Sequence, residues 1–174
     1  MTDTNQEFER AFEAHADELF RHAALRLPER ERAVELVQET FTRVWDYVTK
    51  GGEVREYRAF LFRTLRHLII DEYRKHKTIS LESMMHEEDE SVERLLPTDD
   101  SNTLEAATER FEGKRVLHML TELPDLYREV LLLRYVEGMS PQEISAVLGE
   151  SENVVSVRIH RGLKKLKLLL EPGP

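Results

Sequence analysis

The sequence predicts an all-α protein of two small helical domains, an N-terminal bundle and a C-terminal helix-turn-helix, joined by a flexible acidic linker. Three observations carry this. Apolar residues recur at helical spacing through most of the chain, no run alternates convincingly as a strand, and Gly and Pro number only 7 and 6 in 174 residues. A hydrophobic content of 40% suffices to build packed cores, and the length accommodates one mid-sized domain or two small ones.

Phe8, Phe12, His15, Leu19 and Ala23 mark the apolar face of a first helix that ends before Pro28. Val34, Val37, Phe41, Val44 and Val48 mark a second, which ends near Gly51 and Gly52. Leu61, Leu65, Leu68 and Tyr73 mark a third. These helices can bury one another as a bundle, giving a first domain over residues 1–77. Residues 78–104 lose the periodicity and become acidic, with a weak helical tendency in Leu81, Met84, Met85, Val92, Leu95 and Leu96. Like charges at this density resist compaction, so the segment reads as a linker.

The second domain, residues 105–174, opens with a helix through Phe111, Val116, Leu117 and Leu120, broken at Pro124. A short apolar helix follows from Leu126 to Val136 and ends at Gly138. Ser140-Pro-Gln-Glu143 is a capping box with Pro at the first helical position. Gly149 suits the left-handed residue that ends this helix, and Ser151 can cap the next. The result is helix, turn, helix, with Ile144, Val147 or Leu148, Val155 and Ile159 as the buried seam.

A net charge of -9 and a pI near 5.3 argue at first against a nucleic-acid partner. The charge is unevenly placed, however. Residues 82–112 hold 11 acids and 2 bases, while residues 1–81 carry a net -1 and residues 113–174 a net +1. The acidity belongs to the connector, and the two domains keep room for local basic faces. The absence of Cys leaves no disulfide framework and no Cys-ligated metal. No apolar run approaches the roughly 20 residues of a membrane span, and the N-terminus lacks a signal-peptide pattern, so the expectation is a cytoplasmic protein without membrane insertion.

On a wheel at 100° per residue, Val155, Ile159, Leu163 and Leu166 share one side of the last helix. The opposite side carries Asn153, Val157, His160 and Lys164, with Arg161 beside them and no acid between Asn153 and Leu170. This suits a recognition helix in the major groove: side chains near its start meet base edges, and Lys164, Lys165 and Lys167 meet phosphates. Val157 can contact a thymine methyl. A second basic segment, Arg55 to Lys77, holds seven bases, three acids and the aromatics Tyr57, Phe60, Phe62 and Tyr73. Rings interleaved with Arg suit single-stranded nucleic acid, although Phe60 and Tyr73 serve equally well as core. Before it, Lys50-Gly-Gly-Glu-Val54 is a flexible loop able to fold around an unstacked base. Glu35, Gln38, Glu39 and Thr42 form a polar face opposite the second helix's apolar stripe, by itself an ordinary solvated surface.

Together these pieces resemble the extracytoplasmic-function group of bacterial RNA polymerase sigma factors. Glu35-Leu-Val-Gln-Glu-Thr-Phe-Thr-Arg-Val-Trp45 is similar to the family's polymerase-binding motif. Tyr57-Arg-Ala-Phe-Leu-Phe-Arg-Thr-Leu-Arg-His-Leu-Ile-Ile-Asp-Glu-Tyr-Arg74 is similar to its minus-10 segment. Leu123-Pro-Asp-Leu-Tyr-Arg-Glu-Val-Leu-Leu-Leu-Arg-Tyr-Val-Glu-Gly138, with Ser140 to Lys167, is similar to its minus-35 domain. The resemblance implies that Glu35, Gln38, Glu39, Thr42 and Trp45 bind core polymerase. It implies that Arg55, Tyr57, Arg63, Arg66, His67 and Arg74 meet the minus-10 strand, where the glycine loop captures a flipped base. Asn153, Ser156, Val157, Arg158, His160, Arg161 and Lys164 would meet the minus-35 duplex, with Arg158 nearer the core edge. It further implies core polymerase, promoter DNA and an anti-sigma factor as partners, no cofactor, and a linker that threads through polymerase. His67, Val154 and Ser156 depart from the family's usual Asn, Thr and Lys or Arg, so the preferred promoter can differ.

Two rivals within transcription remain: a stand-alone helix-turn-helix regulator, which leaves Gln38-Glu-Thr-Phe41 unexplained, and a sigma-like decoy for an anti-sigma protein, which usually carries a receiver domain. An enzyme is disfavoured. His67 and Asp71 at i, i+4 could share a metal or a proton, but a helix-surface pair is far commoner, and there is no phosphate-binding glycine loop, His-Glu-x-x-His or nucleophile motif.

Overall fold

The computed structural model describes residues 2–76 and 104–171, with side chains from Asp3 to His76 and from Gly113 to Glu171. Those residues contain helices and no strand. The elements are α1 (Thr2–Arg26), α2 (Arg30–Thr49), α3 (Tyr57–His76), α4 (Leu104–Glu122), α5 (Asp125–Leu131), a π-helical turn (Leu132–Val136), α6 (Pro141–Leu148) and α7 (Glu152–Leu170). Two compact units divide the chain, with α1 to α3 in the first and α4, α5 and α7 wholly in the second. The acidic linker, apart from residue 104, and the side chain of Phe111 lie outside the described residues.

In the first unit α1, α2 and α3 pack pairwise on one another. Leu19, Leu36, Val44, Leu61, Phe62, Leu65 and Ile69 are sealed from solvent. Because α2 touches two helices, its buried arc is wide, running from Leu36 through Ala33, Thr40, Val44 and Val37 to Phe41. Val34, expected in the core, sits just past the edge of that arc and is exposed. Phe12 is likewise half uncovered: Ala11 takes the buried position, and the Phe12 ring lies against Phe41 at 4.7 Å with its remaining surface in water. Phe62, read from the sequence as a ring that could stack on a base, is core, with His22 edge-on at 5.4 Å.

Two bidentate clamps, neither visible in the sequence, join helices across 40 residues each. Arg58 grips Glu18 of α1 at 3.1 and 2.9 Å. Arg32 of α2 donates to both oxygens of Glu72 on α3 at 2.7 Å, and His76 lies 3.0 Å from the same carboxylate. The fork geometry of guanidinium on carboxylate makes such pairs stronger than single-point contacts. The Arg32 hydrogen bond holds the Glu72 carboxyl down at about 2 despite its burial. His22 is buried and its Nδ1 has no partner among the described residues; burial, reinforced by Arg26 and Arg21, pushes its pKa well below the ordinary value.

Both groups bind protons more readily in the unfolded chain, so both contribute stability that is present at neutral pH and lost on acidification. The first unit should weaken as pH falls below the ordinary histidine pKa of about 6.5, through His22. It should weaken further between the ordinary carboxyl pKa and about 2, through Glu72. The Glu72 contribution is on the order of 3 kcal/mol. Thermal melts from pH 7 to 3 check this: H22L should flatten the upper part of the profile and E72Q the lower part.

In the second unit α7 packs on α4 and α5. The stripe expected at Val155, Ile159, Leu163 and Leu166 is shifted by one position: Gly162 is buried and Leu163 exposed. The cause is the closeness of α5. A Cβ on Gly162 would stand 3.3 Å from Leu131 and Tyr127, closer than most side chains pack, so the contact line runs over the glycine. The segment expected as one helix from Leu126 to Val136 changes from α to π hydrogen bonding after Leu131, with Glu137 N donating to Leu132 O at 3.0 Å. Val130 to Leu133 are buried, whereas Leu126 and Tyr135 face solvent. Arg128 closes α4 by donating from Nε to Leu120 O at 3.0 Å and from Nη2 to Thr121 O at 2.5 Å and Leu123 O at 3.1 Å. Leu120 O also accepts from Leu123 N at 3.2 Å, and Arg128 adds donors at the helix end, where intrahelical ones run out.

Candidate functional site

Three surfaces carry the predicted residues. On α2, Glu35, Gln38 and Thr42 are exposed and Glu39 is partly so, aligned by their spacing on one side of the helix. Arg32 donates to Glu35 at 2.6 Å and Arg43 to Glu39 at 2.6 Å, while Thr42 Oγ1 donates to the Gln38 carbonyl at 2.9 Å. Solvent-exposed pairs of this kind contribute little and exchange readily for a partner's charges. Trp45 differs from its neighbours: it is half-buried, its ring 4.9 Å from Phe8 of α1, so it braces the strip from below.

The second surface combines residues 51–56 with α3. Gly51 N donates to Val48 O at 3.1 Å and Gly52 N to Tyr47 O at 2.9 Å, folding the loop back onto the end of α2. Gly51 takes φ +92°, a conformation side chains disfavour. Arg55 stands exposed on this loop. Arg63, His67 and Arg74 are exposed and share one side of α3, while Arg66 is half-buried. Arg74 is held only loosely by Asp71 at 3.9 Å. Tyr57 opens the helix half-buried, and burial, with Glu7 as a smaller cause, raises its phenol pKa. Tyr73 is occupied structurally: its hydroxyl donates to Arg26 O at 2.7 Å. Of the interleaved aromatics, Tyr57 and Phe60 alone lie near the loop with part of their surface open.

The third surface is the helix-turn-helix. Ser140 N donates to Glu143 Oε2 at 2.7 Å and Glu143 N to Ser140 Oγ at 3.2 Å, the reciprocal capping box expected from the sequence. Gly149 ends α6 at φ +69°, and Ser151 Oγ accepts from Val154 N at 3.2 Å to start α7. Ile144, Val147, Leu148, Val155 and Ile159 are buried. Asn153, Ser156, Val157, His160, Arg161 and Lys164 are all exposed. Arg158 is nearer the core edge and reaches Glu150 at 3.3 Å. Lys165 is turned toward α5, its ammonium 5.7 Å from the Tyr127 ring centroid, and Lys167 faces Glu171 at 3.8 Å. Of the three lysines expected at phosphates, Lys164 alone has no such competing contact. Beside the helix start lies an open groove of about 360 Å³ floored by Leu126, Tyr127, Val154 and Val157 and rimmed by Arg158 and Arg161.

Residues 11–79 match the family model for sigma-70 region 2, and residues 113–166 match that for sigma-70, region 4. The ECF RNA polymerase sigma factor SigL of Mycobacterium tuberculosis is 28% identical over 161 residues, which cover 92% of this chain and 86% of SigL. SigE of Mycolicibacterium smegmatis is 30% identical over 153 residues, 88% of this chain but 57% of SigE. Among solved structures, CnrH in complex with the cytosolic domain of CnrY superposes with a TM-score of 0.67 at 27% identity, over 95% of this chain and 88% of CnrH. RpoE of Bartonella quintana, solved with the anti-sigma factor NepR, shares the fold at a TM-score of 0.69 and 20% identity, over 98% of each chain. A sigma-70 region 2 bundle followed by a region 4 helix-turn-helix, matched in order along one chain, defines a promoter-recognising transcription initiation factor. The chain belongs to the extracytoplasmic-function group of the sigma-70 family. No described helix is long and apolar enough to cross a membrane.

Proposed function

We propose that residues 1–77 bind core RNA polymerase through the α2 strip of Glu35, Gln38, Glu39 and Thr42, with Trp45 as its brace. The same domain receives the minus-10 strand on the loop of residues 51–56 and the side of α3 bearing Arg63, His67 and Arg74. Residues 105–174 read the minus-35 duplex with Asn153, Ser156, Val157 and His160 at base edges and Arg161 and Lys164 at phosphates. Residues 78–104 connect the two. The observation that carries this division is the separation within one small bundle of a polar, acidic face on α2 from a cationic face on α3. Such a bundle can hold polymerase and DNA at the same time. Arg158, engaged with Glu150, acts at the margin of the duplex contact. Phosphodiester chemistry belongs to the polymerase, and the protein works in the cytoplasm.

An anti-sigma partner is part of the proposal, supported by the solved complexes of CnrH with CnrY and of RpoE with NepR. Run-off transcription with purified core polymerase on genomic fragments tests the whole. A discrete promoter-specific transcript that requires this protein is expected. Operator-style DNA binding by the free chain with no such transcript would instead favour a stand-alone regulator.

A further inference from the structure

The loop of residues 51–56 is seated on a single aromatic ring. A Cβ built on Gly52 would overlap Tyr47 Cε1, Cδ1 and Cζ, so the Gly52 backbone lies directly on the ring and a side chain there would have to push the ring aside. The same two residues are joined by the Gly52 N to Tyr47 O bond at 2.9 Å. The ring of Phe60, in the first turn of α3, is 5.2 Å from that of Tyr47 and tilted by 32°, close to offset stacking. Tyr47 therefore ties together the end of α2, the loop and the start of α3, yet it is 44% exposed and is not a core residue. A large ring held at the surface under a glycine, when any small residue would leave α2 intact, needs a reason beyond the stability of the bundle.

We propose that Tyr47 is a positioning residue for promoter recognition: its ring fixes the height and angle of the 51–56 loop, and through it the base preference at the minus-10 position that loop accepts. This rests on the reading that the loop takes up an unstacked base. The two glycines alone leave the loop many conformations, since glycine restricts the backbone least. The ring beneath removes that freedom before DNA arrives, so ordering is not charged against binding. A loop without its seat would still meet the strand but would discriminate bases less, because selection among bases needs fixed hydrogen-bonding groups that go unpaired with the wrong one.

The test uses holoenzyme assembled from core polymerase and the full chain. Y47A should reduce the transcription ratio of best to second-best base at the accepted position at least about fivefold, in a library randomised across the minus-10 element. The corresponding free energy is on the order of 1 kcal/mol. Y47F, which keeps the ring, should rescue that ratio. G52A, whose methyl would displace the ring, should reproduce the Y47A profile. Dependence on the minus-35 element and affinity for core polymerase serve as readouts that a general folding defect would move together. A preference profile unchanged in Y47A, or an equal loss of rate on all bases, would overturn the proposal. Scanning 2-aminopurine through the non-template strand separates the two readings. Unstacking fluorescence in the parent holoenzyme with an unaltered Y47A profile sinks the Tyr47 role alone. No unstacking at any position in the parent sinks the base-capture reading beneath it.

Discussion

Replacing Gln38, Glu39 and Thr42 together by Ala is expected to weaken binding to core polymerase by about a hundredfold or more and to abolish run-off transcription from every promoter alike. Three side chains at the centre of a protein interface commonly contribute about 1 kcal/mol each on truncation, and about 1.4 kcal/mol is a factor of ten. Folding should be spared. None of the three is buried; the Glu39 pair with Arg43 is solvent-screened, and Thr42 loses only a bond to its own helix, at Gln38 O. Exposed substitutions of this kind usually change stability by no more than about 0.5 kcal/mol. Fluorescence anisotropy of the labelled chain against core polymerase, with a thermal melt alongside, separates the two effects. A variant that melts normally and still supports full transcription would remove α2 from the polymerase interface.

The choice of Ala over charge reversal follows from the clamp behind the strip. Arg32 donates to Glu35 on the α2 strip and to Glu72 on the α3 side. A lysine at Glu35 would place a cation against the guanidinium that holds Glu72, so its effect would mix interface and fold. The strip is thus mechanically continuous with the end of the helix that bears Arg74. The same three-helix core orients both surfaces, and damage at Glu72 should be felt by both partners.

Much of this was legible in the sequence because helices report themselves through local signals. Ser140, Pro141, Glu143, Gly149 and Ser151 announce the helix-turn-helix by chemistry that acts within four residues, and the structure has those caps in place. The exposed residues of α7 were also readable, since a polar face follows from the period of the apolar one. What escaped depends on distance in sequence. Arg58 with Glu18, Arg32 with Glu72, and Arg128 over the end of α4 are long or irregular pairings that no periodicity encodes. The misplaced Val34 and Leu163 have one origin. A hydrophobic wheel gives the direction of the apolar stripe but not its width or the closeness of the neighbour, and both were set by packing: two helices on α2, and a near-contact at Gly162 on α7. A run of lysines likewise says nothing of the Tyr127 ring that lies beside Lys165.

Reversing the charges of Arg161 and Lys164 to Glu is the second change of large expected effect. Residues 1–81 carry a net -1 and residues 113–174 a net +1, so the duplex must be held by a few well-placed cations rather than by a broad field. Arg158 is drawn toward Glu150, Lys165 toward Tyr127 and Lys167 toward Glu171, which leaves Arg161 and Lys164 as the principal cations facing outward from α7. Losing two phosphate neutralisations should lower the slope of log affinity against log salt by about 2, and at low salt the repulsion added should bring the loss to about a hundredfold or more. The loss should fall on promoters that depend on their minus-35 element, and core polymerase binding should be untouched because the α2 strip is unaltered. V157A gives the contrast. It removes an apolar contact and no charge, so it should cost about 1 kcal/mol only where a thymine methyl is present, with the salt slope unchanged. Filter binding of holoenzyme to promoter fragments across a salt series measures both. A charge-reversed variant with the parental slope would mean that α7 meets its partner through some other face.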